Sequence, residues 1–454
     1  MRRAYLGLLL AARAAAWASN FADTTLNVSQ IASSLPETAA VYLGSPSLVR
    51  LPSGALLASH DVFGAGTARG QRTAFVRASH DGGQSWAGAA PGGAQAVVEG
   101  MYWATLFTRA ADAPGTVYLL GVSNEGSGAA PAQVAIARSG DGGATWLPSP
   151  AAQLTAGATS FSTGPTPVVL AGGRLWRALE RNAAPGWASG YAACVVSARA
   201  DAPDLLDARA WTLSGELPFS SVLPLVPAAW GVPGVRSTWG WLEGGAVDDG
   251  GGGGGVAVLL RVNSAPAANK AALLRLAAPN ATPVFETWVD PFPGGMSKFT
   301  VRRDNASGLF VALANNVSDA SVSLPPSCAA LPAPAGPLPC CGFISACNDA
   351  PPSCLWCHAA ARNVLTLSVS AALGSGWRVV KTVLADDGGF PPFFSELLVG
   401  FQYVDWQFDG AAGENIVYAA RASYRGANNY HNANRHLFGV IEDWRRAAGA
   451  AGGA

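Results

Sequence analysis

An eight-residue pattern occurs twice, as SHDGGQSW from Ser79 to Trp86 and as SGDGGATW from Ser139 to Trp146, about sixty residues apart. Self-similarity at such a period means that one supersecondary unit is reused, stacked or set around an axis. The residue types also specify the turn inside the unit. Asp81 and Asp141 can accept hydrogen bonds from backbone N–H groups about two residues on, Gly83 and Gly143 can adopt φ > 0, and each Trp can pack back under the turn. Apolar, strand-like runs precede both copies, RTAFVRA and AQVAIAR. The pattern therefore reads as a stapled turn between two strands.

Weaker copies follow once the pattern is known. SAALGSGW, from Ser370 to Trp377, has Ala372 where the others have Asp, and SARADAPDLLDARAW reaches Trp211 through an expanded loop. Of the 454 residues only 13% are charged and half are apolar, with 54 Gly and 31 Pro as punctuation. Such a chain suits many short strands and no long amphipathic helix. Counting strand pair, turn and strand pair as one unit gives six units between Val41 and Ile441, with boundaries near residues 100, 160, 228, 296 and 395. The expectation is all-β, a six-bladed propeller of four-stranded antiparallel blades spanning 22–446, with an Ala/Gly tail at 447–454 left disordered. The segment NFADTTLNVSQIA can add a strand to the last blade and close the ring.

The formal charge is zero and no Lys/Arg cluster recurs along one face, which argues against nucleic acid or an anionic membrane as partner. Residues 1–18 have a basic start, a short apolar stretch and the small-x-small site Ala16-Trp17-Ala18, the three parts of a secretory signal. No later apolar run reaches the ~18 residues of a membrane span. Six of the seven Cys lie in the Pro-rich insert 328–357, which reads as a disulfide-stapled loop; Cys354 and Cys357 form a C-x-x-C, so zinc or redox chemistry is the alternative. Cys194 is left over as a buried thiol. Sequons at Asn27, Asn280, Asn305 and Asn316 agree with a secreted, extracellular chain. No metal, nucleotide or other cofactor site is evident.

The two boxes, the six-unit count and the phrases YLGSPSLVRLPSGALLASHDVFG, MYWATLFTR, GWLEGGAVDD, KFTVRRD, ARNVLTLSVS and GFQYVDWQFDG together resemble the Asp-box (BNR-repeat) sialidases and their six-bladed propeller. The resemblance covers nearly the whole chain after the leader. It implies an exo-glycosidase in which three Arg bind a carboxylate, a Tyr activated by a Glu attacks, and an Asp gives and takes a proton. Glu243 in WLEGG and Arg261 in VAVLLRV match the Glu-then-Arg order of the fourth blade, and Tyr403 lies where the nucleophile is expected. Arg302 and Arg362 are the candidates for the other two guanidiniums. Arg421 and His431 are further groups that can face the axis. Arg177 and Glu180 can also reach it, although strand alternation turns one of them away.

The chain departs from that pattern twice. Gly44 replaces the first-blade Arg, and the loop FGAGTARGQRT before the first box carries no carboxylate. Asp61 is then the nearest acid and the candidate proton donor, with Arg69 and Arg72 as replacement cations. The leading reading is a secreted sialidase-like glycoside hydrolase that removes a terminal acidic sugar from a glycan. The alternative is a non-catalytic propeller that binds glycan or protein after losing part of the site.

Overall fold

The computed structural model describes residues 28–450 apart from 34–40, 65–72, 90–92, 94–95, 124–129, 231–238, 252–254, 265–266, 319–359, 387–394, 397 and 428. The leader, the Cys-rich insert, Asn27, Arg69 and Arg72 lie outside the described residues. Six antiparallel sheets form a ring, a six-bladed β-propeller. The inner strands are Ser47–Arg50, Met101–Phe107, Phe161–Ser162 (with Val169–Ala171 on the same edge), Gly240–Val247, Thr300–Arg303 and Gly400–Asp409. The ring closes as expected: Val28–Ser33 pairs with Arg435–Ile441, so the two ends of the chain build blade 6 together. A closed ring leaves only short, protected sheet edges.

Blades packed on both faces need apolar residues at every strand position rather than alternate ones. Gly240–Val247 and Val256–Asn263 are buried throughout, whereas the outer strand Arg378–Ala385 is mostly accessible. The boxes sit at the turns between third and fourth strands. In the first, Ser79 Oγ donates to Asp81 Oδ1 at 2.7 Å, Gly83 N to Ser79 Oγ at 2.8 Å, Ser85 N to Asp81 Oδ1 at 2.9 Å and Trp86 Nε1 to the Gly83 carbonyl at 3.1 Å. The second repeats each bond through Ser139, Asp141, Gly143, Thr145 and Trp146. The Asp acceptors reach N–H groups four residues on, further than the sequence suggests. Gly83 and Gly143 have φ of 93° and 92°, and a Cβ on either would strike the preceding blade, at Phe438 and Leu57 respectively. In the degenerate copy Ser370 Oγ donates to backbone carbonyls in place of the missing Asp, and Trp377 Nε1 still donates to the Leu373 carbonyl at 3.0 Å. Trp211 Nε1 likewise donates to the Leu205 carbonyl at 2.9 Å across the expanded loop.

Two expected boundaries shift. Blade 4 starts at Gly240 rather than near 228, because short helical turns at Phe219–Val222, Leu223–Leu225 and Ala228–Trp230 fill the interval and bury Phe219, Val222 and Trp230. The chain beyond 446 is ordered further than expected: Trp444–Ala450 is a helix with Trp444 and Ala448 buried. Alanine is the best helix former, and a docking surface was all this run required.

Candidate active site

Three of the inner strands carry the same irregularity. In blade 2 the residues Trp103 and Ala104 oppose the single residue Gly121; in blade 4 Glu243 and Gly244 oppose Leu260; in blade 6 Tyr403 and Val404 oppose Ala420. Each is a β-bulge, which bends the strand and re-aims one side chain. Trp103, Glu243 and Tyr403 have φ of 50°, 55° and 54°. The other described non-glycine residues with positive φ, Ala188, Asn269, Arg425 and Asp443, occupy turns and bends. Bulky residues in this region are strained, and such strain survives only where the surroundings impose it.

The surroundings impose it from the preceding blade each time. Trp103 N donates to Asp61 Oδ2 of blade 1 at 2.9 Å. Gly244 N donates to Glu180 Oε1 of blade 3 at 2.8 Å. The Val404 carbonyl accepts from Lys298 Nζ and Thr300 Oγ1 of blade 5, at 2.6 and 2.8 Å. Burial pushes the Glu180 carboxyl up to about 8 and the Lys298 ammonium down to about 8. Arg177 leaves the opposite face of Glu180's strand, its guanidinium donating to the Trp103 and Gly164 carbonyls at 2.6 and 3.1 Å. Alternation thus sends Arg177 toward blade 2 and Glu180 toward blade 4, and both are fully buried.

The bulges of blades 4 and 6 bring Glu243 and Tyr403 together across 160 residues. Tyr403 Oη donates to Glu243 Oε1 at 2.6 Å, in a buried setting. Arg261 Nε lies 3.0 Å from Glu243 Oε2. Burial, reinforced by the Glu243 charge, raises the Tyr403 phenol above its ordinary value, which holds it as the neutral donor to Glu243.

Arg421 and Arg362 stand over the Tyr403 ring, their guanidinium carbons 4.9 and 5.8 Å from its centroid. Arg421 occupies in blade 6 the register position that Arg261 occupies in blade 4, each paired with the residue before the bulge, Gln402 and Leu242. Blade 2 has Val122 at that position. Arg362 donates to Gln402 Oε1 and, at 3.2 Å, to the Met296 carbonyl; Arg421 donates to the His431 carbonyl. Their Nε atoms are buried with no hydrogen-bond partner, as is that of Arg177. The His431 ring packs edge-on to Phe63, and burial, with Arg421 beside it, holds it well below its usual value and neutral.

Arg302 does not join this group. Its Nε donates to the Trp406 carbonyl at 2.6 Å and its other end meets Asp405, which also accepts from Ser47 Oγ and Leu48 N at 2.9 Å. Asp405 follows the bulge, where regular alternation has resumed, so Arg302 ties blades 5, 6 and 1 together. At Gly44 an ideal Cβ would lie 1.9 Å from Asp61 Oδ1. Any side chain there, Arg included, is excluded while Asp61 keeps this position. Cys194 is a buried free thiol. Among the described residues no cluster of three His, Cys, Asp or Glu could hold a metal, and no helix is long and apolar enough to cross a membrane.

Sequence reasoning missed Trp103, Lys298 and Gln402, and it named Glu180 without its role as a pin of the neighbouring bulge. The signal available was an internal alignment of the inner strands, placing YWA, LEG and QYV in one column.

No family model matches the chain, and no curated protein matches it in sequence. Solved structures do. An α-L-arabinanase of Penicillium chrysogenum is 13% identical, with 92% of this chain and 98% of that one covered, at a TM-score of 0.52. A Hadza microbial sialidase is 12% identical over 88% of this chain and 66% of its own, at 0.51. The NanB sialidase from Streptococcus pneumoniae is 10% identical over 92% and 70%, at 0.50. At these identities the likeness is one of fold, and the chain has the sialidase-like six-bladed propeller found in these sialidases and this arabinanase.

Proposed function

We propose that the protein is a secreted exo-glycosidase of sialidase type that removes a terminal acidic sugar from a glycan. The observation that carries this reading is the buried hydrogen bond from Tyr403 to Glu243, made between two strained bulges under the Arg362 and Arg421 guanidiniums. The sugar carboxylate takes the Arg362 and Arg421 donors, with Arg261 beside them. Tyr403 Oη bonds to the anomeric carbon as its proton passes to Glu243, the glycosidic C–O bond breaks, and the leaving oxygen takes a proton from Asp61. Water then attacks the anomeric carbon and gives a proton to Asp61; the glycosyl–tyrosine bond breaks, and the phenol recovers its proton from Glu243. Likeness in fold to solved sialidases and to an arabinanase is compatible with this chemistry.

The second reading, a glycan-binding propeller without turnover, is favoured by Gly44 and by the absence of a carboxylate between Gly64 and Thr73. A panel of fluorogenic α-sialosides and α-uronosides separates the two. Release of fluorophore from one panel member, falling ~10²–10⁴-fold in Tyr403→Phe and in Glu243→Gln, is the result expected of the enzyme. Saturable binding with no release, or release indifferent to both substitutions, defeats the catalytic reading.

A further inference from the structure

Trp187 stands out among the large apolar side chains that remain accessible. It is 53% exposed, yet the turn that carries it is built rigidly. Ser189 N donates to the Trp187 carbonyl at 2.7 Å, Gly190 N to the Gly186 carbonyl at 3.0 Å and Ala184 N to the Gly190 carbonyl at 2.9 Å. The next residue, Ala188, has φ of 62° and is fully buried, pressed so closely on Gly240 that a Cβ there would meet its backbone at 2.1 Å. A strained, buried anchor directly beside an exposed indole fixes where the indole sits.

It sits over the candidate active site. The Arg261 guanidinium carbon is 5.7 Å from the Trp187 ring centroid, and Arg261 is the partner of Glu243. Glu243, Arg261, Arg362, Tyr403 and Arg421 are each less than a tenth exposed. These five side chains are thus buried while the indole packed on Arg261 is exposed, so Trp187 lies on the solvent side of the group. A terminal sugar bound at these residues would leave the remainder of its glycan on that solvent side, beside Trp187.

We propose that Trp187 is the platform of a second sugar-binding subsite, stacking the C–H face of the sugar unit attached to the leaving oxygen. An indole offers a flat, rigid, apolar surface with little rotamer entropy to lose, matched to the axial C–H groups of a pyranose. This rests on the glycan reading above, and the same residue also has a plain alternative task, shielding the Arg261–Glu243 pair from water.

Substrate length tells these apart. For Trp187→Ala, KM for sialyllactose, or for the matching uronic-acid disaccharide, should rise roughly tenfold or more, while KM for the glycosyl fluoride of the same terminal sugar, whose leaving group places no ring on the indole, stays put; Trp187→Tyr should recover most of the loss. Equal losses on the long and short substrates would reduce Trp187 to a water shield, and no loss on either would remove it from the site. If the protein proves not to hydrolyse any of these, calorimetric titration of the monosaccharide and the disaccharide makes the same comparison at equilibrium. Tighter binding of the disaccharide that Trp187→Ala abolishes upholds the subsite while the catalytic reading falls. Equal binding of the two sugars, or binding of neither, overturns the subsite.

Discussion

The bulge of blade 2 and the bulges of blades 4 and 6 share a backbone and differ in what they carry. All three skip one residue of the partner strand, hold a large residue at positive φ and are pinned by a buried group of the preceding blade. Blades 4 and 6 pair Glu243 with Tyr403 and place an Arg beside each. Blade 2 offers Trp103 and Val122, an indole and an isopropyl group with no charge to contribute. The device is thus a way of aiming side chains toward the axis, independent of the chemistry aimed. It teaches that strain marks where a propeller can build a site, while residue identity decides whether it does.

The contrast is broken most directly by kinetics. Replacing the aimed aromatic in each blade conservatively should give unequal results: Tyr403→Phe loses ~10²–10⁴-fold in kcat, whereas Trp103→Phe changes kcat less than about tenfold. Comparable losses at both positions would make blade 2 a third reacting element and erase the distinction. The next largest effect concerns the pin. Glu180→Ala frees Gly244 N, and a displacement of the bulge by about 1 Å is enough to cost roughly a hundredfold in kcat, with rescue in Glu180→Gln, which can still accept that bond. Equal losses in Ala and Gln variants would mean that the carboxyl acts through its charge instead.

The same residue has a pH signature. An ordinary Glu in the unfolded chain ionises near 4.5, whereas native Glu180 keeps its proton to about 8. Between those values the native state binds more protons than the unfolded state, so this residue makes stability fall as pH rises through that window. Urea unfolding of the parent and of Glu180→Gln from pH 5 to 8 should show the parent losing stability relative to the variant. Parallel curves would place a charged carboxylate at 180. The smallest effect belongs to the outer turns: Asp141→Ala removes the acceptor of its hairpin and should lower unfolding stability by about 1 kcal/mol, leaving glycoside turnover, where present, unchanged. A loss of turnover there would tie the box to the axis, which its position does not suggest.

The fold was legible because its evidence is local. A box needs eight consecutive residues, and the bonds among Ser79, Asp81, Gly83 and Trp86 close within them. Even the copy without Asp, ending at Trp377, kept its indole bond. The boundaries near 100, 160, 296 and 395 fall within about five residues of the inner strands, because each blade begins where an apolar run follows a turn. Near 228 the chain forms helical turns instead, whose apolar content is that of a strand, and blade 4 begins at Gly240.

The site was legible only in part. Glu243, Arg261 and Tyr403 are what the resemblance to the sialidases implies, and Glu243 and Arg261 also lie inside apolar runs, where an isolated charge is expensive. Arg302 looked equally promising and belongs instead to the ion pair with Asp405, because which face a strand residue takes depends on whether a bulge has intervened. Sequence by itself determined the repeat, the residue types of its turn and a strand available near the start of the chain to close the ring, all matters of local bonding and hydrophobic pattern. Tertiary structure decided that Glu180 pins a neighbouring blade, that Arg421 mirrors Arg261, and that Asp61 fills the space beside Gly44. Those outcomes depend on residues 17 to 160 positions apart meeting across blade interfaces, and no local preference encodes which neighbour a buried charge will find.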